Sequence, residues 1–416
     1  MKRTKLSDIA SLTVGFVGTM TQHYVDSGIP FLRSLNIKPF YIDNTDLKYI
    51  SASFSEELSK SILNENDIVI VRTGIPGTCC VVPKEYDGCN CADVVIVHPD
   101  FSKVNPYYLA AYINIWGQKQ ILNNKVGAIQ QHFNVHTAEE MLVFLPDKET
   151  QDHVANLICS VNEKIQVNER LCAELEAMAK ALYDYWFVQF DFPDENGKPY
   201  RTSGGAMEWC QELGREVPKG WKAGTVVDLG EIVSGATPST TEENYYTTNG
   251  IAWITPNDLS DNEHNMFVFH GERDITEAGL SSCSAILMPA GSVLMSSRAP
   301  IGYLAIAANP VCTNQGFKSI ICTKDYGTLF VYYTLKRNVQ GIARQGVGTT
   351  FKEVSRDTLA RYTVLLPDTT IAKHFEQLIA PISQTRKNCE QENRELIALR
   401  DWLLPMLMNG QAQVEK

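Results

Sequence analysis

The stretch VFLPD at 143–147 returns as VLLPD at 364–368, and the offset of 221 relating the two persists well beyond these five residues. At that offset Gly127 meets Gly348, His153 meets His374, Leu157 and Ile158 meet Leu378 and Ile379, Glu169 meets Glu390, and Leu182 meets Leu403. Upstream the register loosens: GIPFL at 28–32 resembles GIAWI at 250–254, and DIVIVRTGIPG at 67–77 resembles GSVLMSSRAPIG at 291–302, with small shifts. A period of half the chain is too long for a solenoid, so the chain carries two copies of one domain-sized module.

Each copy has the same internal order. Short β-type runs such as DIVIVR at 67–72 and DVVIVH at 93–98 mix with turns and one helical stretch, PYYLAAYINI at 106–115. The second copy repeats this with SVLMSS at 292–297, FKSIICT at 317–323 and LFVYYTLKRNV at 329–339. After each LPD the pattern turns helical, with Asp147 and Asp368 as caps. From Val154 a seam of alternating four- and three-residue steps runs through Ile158, Val161, Ile165, Asn168, Cys172, Leu175, Ala179, Leu182 and Trp186. Its counterpart runs from Phe375 through Ile379, Ile382, Arg386, Cys389, Asn393, Leu396, Arg400, Leu403 and Leu407. That spacing is the coiled-coil period, and pairing the two helices antiparallel buries both stripes, with Asn168, Cys172, Arg386 and Asn393 setting register.

The expected fold is α+β: two similar mixed α/β globules joined by two long helices in an antiparallel coiled coil, a pseudo-two-fold repeat. The divisions fall at 1–147 for the first globule, 148–188 for the first helix, 189–222 for a linker, 223–368 for the second globule, 369–410 for the second helix and 411–416 for a tail. The linker's Pro, Gly and Asp residues break the helix while its aromatics pack down. The pair would act as a ruler between the globules.

Composition narrows the function. An apolar share of 44% and a charged share of 20% describe an ordinary folded chain, and no run approaches the roughly 18 apolar residues of a membrane span. Asp8 interrupts the only stretch resembling a signal peptide, so a cytoplasmic protein is expected. Cys79, Cys80, Cys89 and Cys91 read CC and CNC, without the CxxC pairing of a zinc site, and His132 and His136 stand in loop-to-strand sequence. A net charge of −11 argues against a uniformly basic surface. No dinucleotide fingerprint, Walker loop, HExxH, GxSxG or NPPY-type stretch is present, so recognition is expected rather than catalysis.

Two divergent globules on similar helices suit a reader of two different half-sites on a duplex, whose major groove repeats about every 34 Å. The candidate DNA-binding residues are polar side chains beside glycine or proline. In the first copy these are Arg72, Thr73, Gln130, Gln131 and His132; in the second they are Ser297, Arg298, Asn314, Gln315, Arg344 and Gln345. Lys125, Lys336, Arg337 and Lys352 are candidate phosphate contacts. The alternative is a protein scaffold with two ligand-binding globules on a coiled-coil spacer, which needs no basic concavity.

WFVQFDFPDENGKPYRTSGG followed by VPKGW, the GVG and VGA stretches, the LP ending of each globule and the closing LLPMLMNGQ resemble the specificity subunits of type I restriction-modification systems, over essentially the whole chain. The resemblance implies two target recognition domains, each reading half of a split double-stranded DNA target, and no catalysis by the chain itself. It implies two modification subunits that methylate adenine with S-adenosylmethionine, and in the full complex two restriction subunits using ATP and Mg, in a bacterial or archaeal cytoplasm. No cofactor is expected on this chain. Asn168, Arg386, Trp186 and Phe187 are the positions expected at the modification-subunit interface.

Overall fold

The computed structural model describes residues 2–117, 120, 133–262, 264–348, 352–409 and 411–412. The candidates Lys125, Gln130, Gln131 and His132 lie outside the described residues. The chain is mixed α+β and divides into two compact units, Met1–Gln166 with Asn393–Lys416, and Val167–Glu392.

In the first unit, strand Lys2–Lys5 pairs antiparallel with Leu142–Leu145. A four-stranded sheet follows the order Ala10–Val14, Val94–Pro99, Ile68–Val71, Cys79–Val81, and a second follows Asn90–Cys91, Ile29–Leu32, Lys48–Ile50, Tyr24–Val25. The strands at the centre of the first sheet are β-branched runs with both faces covered, so apolar residues need not alternate with polar ones. Ile68, Ile70, Val95 and Val97 point into one core with Tyr108, Leu109 and Ile158. Val69, Val71, Val94 and Ile96 point into another with Leu32 and Leu63.

The second unit repeats this order. Lys222–Thr225 pairs antiparallel with Thr363–Leu366. One sheet runs Glu231–Ser234, Lys318–Ile321, Val293–Ser297, Ile301–Ala307, with Phe267–Val268 added at the edge; the other runs Val311–Thr313, Ile251–Ile254, Asp274–Ile275, Tyr246–Thr247. Even the single parallel pairing of the smaller sheet recurs, Asn90–Cys91 with Ile29–Leu32 and Val311–Thr313 with Ile251–Ile254.

Each globule is followed by a 40-residue helix, Lys148–Phe187 and Thr369–Met408. In the first unit Arg400 Nη1 donates to Asn162 Oδ1 at 2.9 Å and Asn393 Nδ2 to the Ile165 carbonyl at 3.3 Å. In the second, Asn168 Nδ2 donates to Glu392 Oε2 at 2.8 Å and Arg386 pairs with Glu176. Within each unit, therefore, the two helical segments run antiparallel. Arg386 is 3% exposed and also lies 3.3 Å from Glu390.

The four side chains expected at the modification-subunit interface are engaged within the chain. Trp186 and Phe187 are buried and pack with Trp221, Phe330 and Phe375, because the linker folds back over the helix end and supplies Phe190 and Phe192 to the same core. Asn168 and Arg386 are buried as well, and their polar groups engage the facing helix. The 11 cysteines are free thiols; burial raises Cys79, Cys80 and Cys91 and pushes Cys89 up to about 12, so these four behave as neutral core side chains.

Candidate nucleic-acid interface

In both units the loops at one end of the larger sheet converge, and a glycine permits the closest approach. After strand Glu231–Ser234 the chain passes over the end of Val311–Thr313, where a Cβ at Gly235 would stand 2.1 Å from the Asn314 carbonyl oxygen. After Ala10–Val14 it passes over Asn90–Cys91, where a Cβ at Gly15 would stand 3.1 Å from the Cys91 carbonyl oxygen. Only glycine lets backbone meet backbone at these points.

The second unit gathers most of its candidates here. Ser297 N donates to the Gly316 carbonyl at 2.7 Å, and Val354 N to the Ser297 carbonyl at 3.0 Å. Val347 and Glu353 exchange two backbone hydrogen bonds of 3.0 Å, and Glu353 also forms an antiparallel bridge with Arg298. Arg298 Nη1 stands 3.8 Å from Glu353 Oε2, and Lys318 Nζ stands 3.4 Å from Glu353 Oε1. Thr237 Oγ1 donates to Gln315 Oε1. Arg344, Gln345 and Lys352 are exposed around this cluster, with Gly346 seated against Ile301.

Not every candidate faces outward. Ser297 is fully buried and its hydroxyl donates to the Gly316 carbonyl at 3.1 Å, so it builds the loop rather than reaching a base. Asn314 Oδ1 accepts from Gly316 N at 2.8 Å, an Asx-type turn that spends its acceptor internally. Lys336 donates to Glu176 at 2.6 Å and Arg337 lies 4.0 Å from Asp184, so both cations of the helix Thr328–Arg344 are paired with carboxylates of the first long helix.

In the first unit three segments meet at Asp93, whose φ of 59° turns the chain sharply. Asp93 N donates to the Phe16 carbonyl at 3.2 Å, Ser34 Oγ donates to the Asp93 carbonyl at 2.7 Å, and Arg72 Nη1 stands 3.9 Å from Asp93 Oδ1. Arg72 is 18% exposed; its Nε donates to the Phe133 carbonyl at 3.2 Å, while its buried Nη1 makes no hydrogen bond. Thr73 beside it is half-buried.

The sequence of the second unit matches the family described as the type I restriction modification DNA specificity domain, over residues 218–392. The type I restriction enzyme MjaIX specificity subunit of Methanocaldococcus jannaschii is 35% identical over 201 residues, covering 45% of this chain and 45% of that protein. The type I restriction enzyme HindI specificity subunit of Haemophilus influenzae is 24% identical over 344 residues, 70% of this chain and 73% of that protein. The chain is therefore similar to type I specificity subunits, and residues 218–392 match the DNA specificity domain. The match to the first of these specificity subunits spans less than half of that relative's length, whereas the second spans nearly three quarters. A solved type I restriction-modification system S subunit from M. genitalium shares the fold, with a TM-score of 0.57 at 11% identity over 98% of this chain and 95% of that one.

Several residues of this candidate site carry no sequence signal of their own. Thr237, Lys318 and Glu353 hold the second cluster together, and Val17, Leu35, Ile75 and Val347 are exposed aliphatics on the converging loops. One signal was available: VG at 14–15 and SG at 234–235 each follow a strand run, at nearly the repeat offset.

Proposed function

We propose that this chain is the DNA sequence-specificity subunit of a type I restriction-modification complex and that each globule reads one half of a bipartite double-stranded target. The observation that carries this reading is the repetition of one fold, with the same order of four strands in both main sheets of each globule and different side chains on the equivalent converging loops. A reader of two unlike half-sites needs a constant frame and variable tips, whereas an enzyme needs convergent reactive groups. Exposed Gln315, Arg344, Gln345 and Lys352, with the half-buried Arg298, form the polar face of the second reader. Lys125, Gln130, Gln131 and His132 remain candidates for the first.

The two long helices form the antiparallel coiled coil that joins the globules, and modification subunits dock along it. The chain itself performs no chemistry; adenine methylation with S-adenosylmethionine, and any cleavage with ATP and Mg by restriction subunits, belongs to those partners. Because Asn168, Arg386, Trp186 and Phe187 are engaged within the chain, they support the docking surface from beneath. The test is methylation-aware sequencing of a genome with and without the chain, in the presence of its modification subunit. Loss of one bipartite adenine-methylated motif on deletion is the expected result. An unchanged methylome with the partner active would return the chain to the scaffold reading.

A further inference from the structure

Within the second unit, the end of the first long helix, the hairpin Met207–Cys210 with Arg215–Pro218, the helix Thr328–Arg344 and the strand Thr363–Leu366 enclose a cavity of about 330 Å³. None of Arg298, Gln315, Arg344, Gln345 and Lys352 lines it. Part of its wall is apolar: Phe187 and Phe330 meet edge to face with ring centroids 4.9 Å apart, beside Leu213 and Val364. Arg215, Arg337, Asn338 and Tyr362 bring polar groups to the same space. An apolar pocket of a few hundred Å³ with a small number of placed polar groups is the usual form of a small-molecule site.

The charge in this cavity has one sign in excess. Its lining holds two guanidiniums and one carboxylate, the exposed Glu212, in a chain whose net charge is −11. Arg337 lies 4.0 Å from Asp184, whose other oxygen already accepts from Lys180 at 2.7 Å. Arg215 is half-buried and forms no ion pair among the described residues; its guanidinium lies over the Phe190 ring, 5.3 Å from the centroid. Stacking of that kind leaves the in-plane N–H donors free for a planar or tetrahedral anion. Burial lowers the Arg215 pKa from its ordinary value and the charge of Arg337 adds to the effect, so an anion entering the cavity relieves both.

We propose that this cavity binds a small organic anion, a phosphate monoester or carboxylate with a flat apolar body, its charge held by Arg215 and Arg337 and its body against Phe187 and Phe330. Guanidinium forks match both anions bidentately. A ligand so held ties the linker hairpin to the helix Thr328–Arg344. The inference stands whether or not the globules read DNA.

The test follows binding of phenyl phosphate, benzoate and phenol to the full chain by saturation-transfer NMR on the small molecule. At least one of the two anions is expected to bind about tenfold or more tightly than phenol, the ratio of one charge-assisted hydrogen bond. Which anion binds tells whether the natural ligand is a phosphate monoester or a carboxylate. Inorganic phosphate should bind more weakly than phenyl phosphate, because it cannot use the aromatic wall. Arg215→Gln should weaken the favoured anion about tenfold or more, and Arg215→Lys, which keeps the charge without the fork, should fall between the two. Thermal unfolding matching the parent chain separates loss of the site from loss of the fold; if only the lysine variant folds, its comparison with the parent decides. Anions binding no better than phenol, or binding undiminished in the folded variants, would overturn the proposal.

Discussion

Arg386 links the two long helices in the second unit. It is buried among two carboxylates, Glu176 and Glu390, and Glu390 also accepts from Met266 N at 2.9 Å and Phe267 N at 2.8 Å. Truncation leaves those carboxylates buried with less to hold them, so Arg386→Ala is expected to cost about 3–5 kcal/mol in urea unfolding, whereas substitutions of exposed residues on the same helix cost a few tenths. On the candidate DNA face the expectations are different in kind. Arg298→Ala should lower affinity for the cognate duplex by about 1–3 kcal/mol and relax discrimination at one base position. Lys352→Ala should weaken binding to all sequences alike and reduce the salt slope by about 1, measured by titrations across ionic strength. In the first unit His98 Nδ1 stands 2.7 Å from Asp67, and that hydrogen bond raises the imidazole's pKa above its ordinary 6.5. A raised histidine contributes stability that is complete below the unfolded value and is lost as pH rises through the folded one. Stability should therefore decline across the interval just above pH 6.5, and Asp67→Asn should flatten that decline in chemical unfolding curves.

At the scale of elements, the same junction is built twice with different residues. In the second unit Glu376, on the second long helix, accepts from Leu329 N at 2.9 Å and Phe330 N at 3.2 Å, satisfying the open first turn of Thr328–Arg344. In the first unit, Asn105 caps the helix Pro106–Tyr112, and the first long helix clamps Asn105 through Gln151 Oε1 at 2.8 Å and Asp152 Oδ1 at 2.8 Å. Glu376→Ala should cost about 1–3 kcal/mol by leaving those amides unpaired in a half-buried site, and Gln151→Ala should cost a comparable amount, each read from thermal unfolding. Such junctions explain what the sequence did and did not disclose. Seam residues such as Val154, Ile158, Phe375 and Ile379 were legible because burial repeats with the helix period, and strands such as Ile68–Val71 because their β-branched runs leave no other choice. The hairpin of Met207–Cys210 with Arg215–Pro218 was not, since neither strand alternates cleanly. Nor was the inward turn of Ser297, Trp186 and Phe187, because whether a polar or aromatic residue faces solvent depends on segments remote in sequence. Arg72 illustrates the same limit: the Phe133 carbonyl that holds it lies 61 residues away.

For the whole molecule, the division of labour between a constant frame and variable tips predicts that specificity is modular. Replacing residues 223–366 with the matching segment of another specificity subunit should change one half of the methylated motif and preserve the other, as read by methylation sequencing. The pairing of Lys2–Lys5 with Leu142–Leu145, and of Lys222–Thr225 with Thr363–Leu366, bears on this directly. In each globule the chain enters and leaves through neighbouring antiparallel strands, so the globule is a closed loop hung from a two-strand stem. A stem of that kind transmits little of what hangs from it: the strand pair has the same geometry whatever lies between its ends. Recombination between genes with breakpoints in the two stem strands would therefore deliver a complete new reader in one step, without intermediates that are half of one and half of another. In such a lineage, recognition would change by sudden exchange of whole readers as well as by the slow drift of single bases.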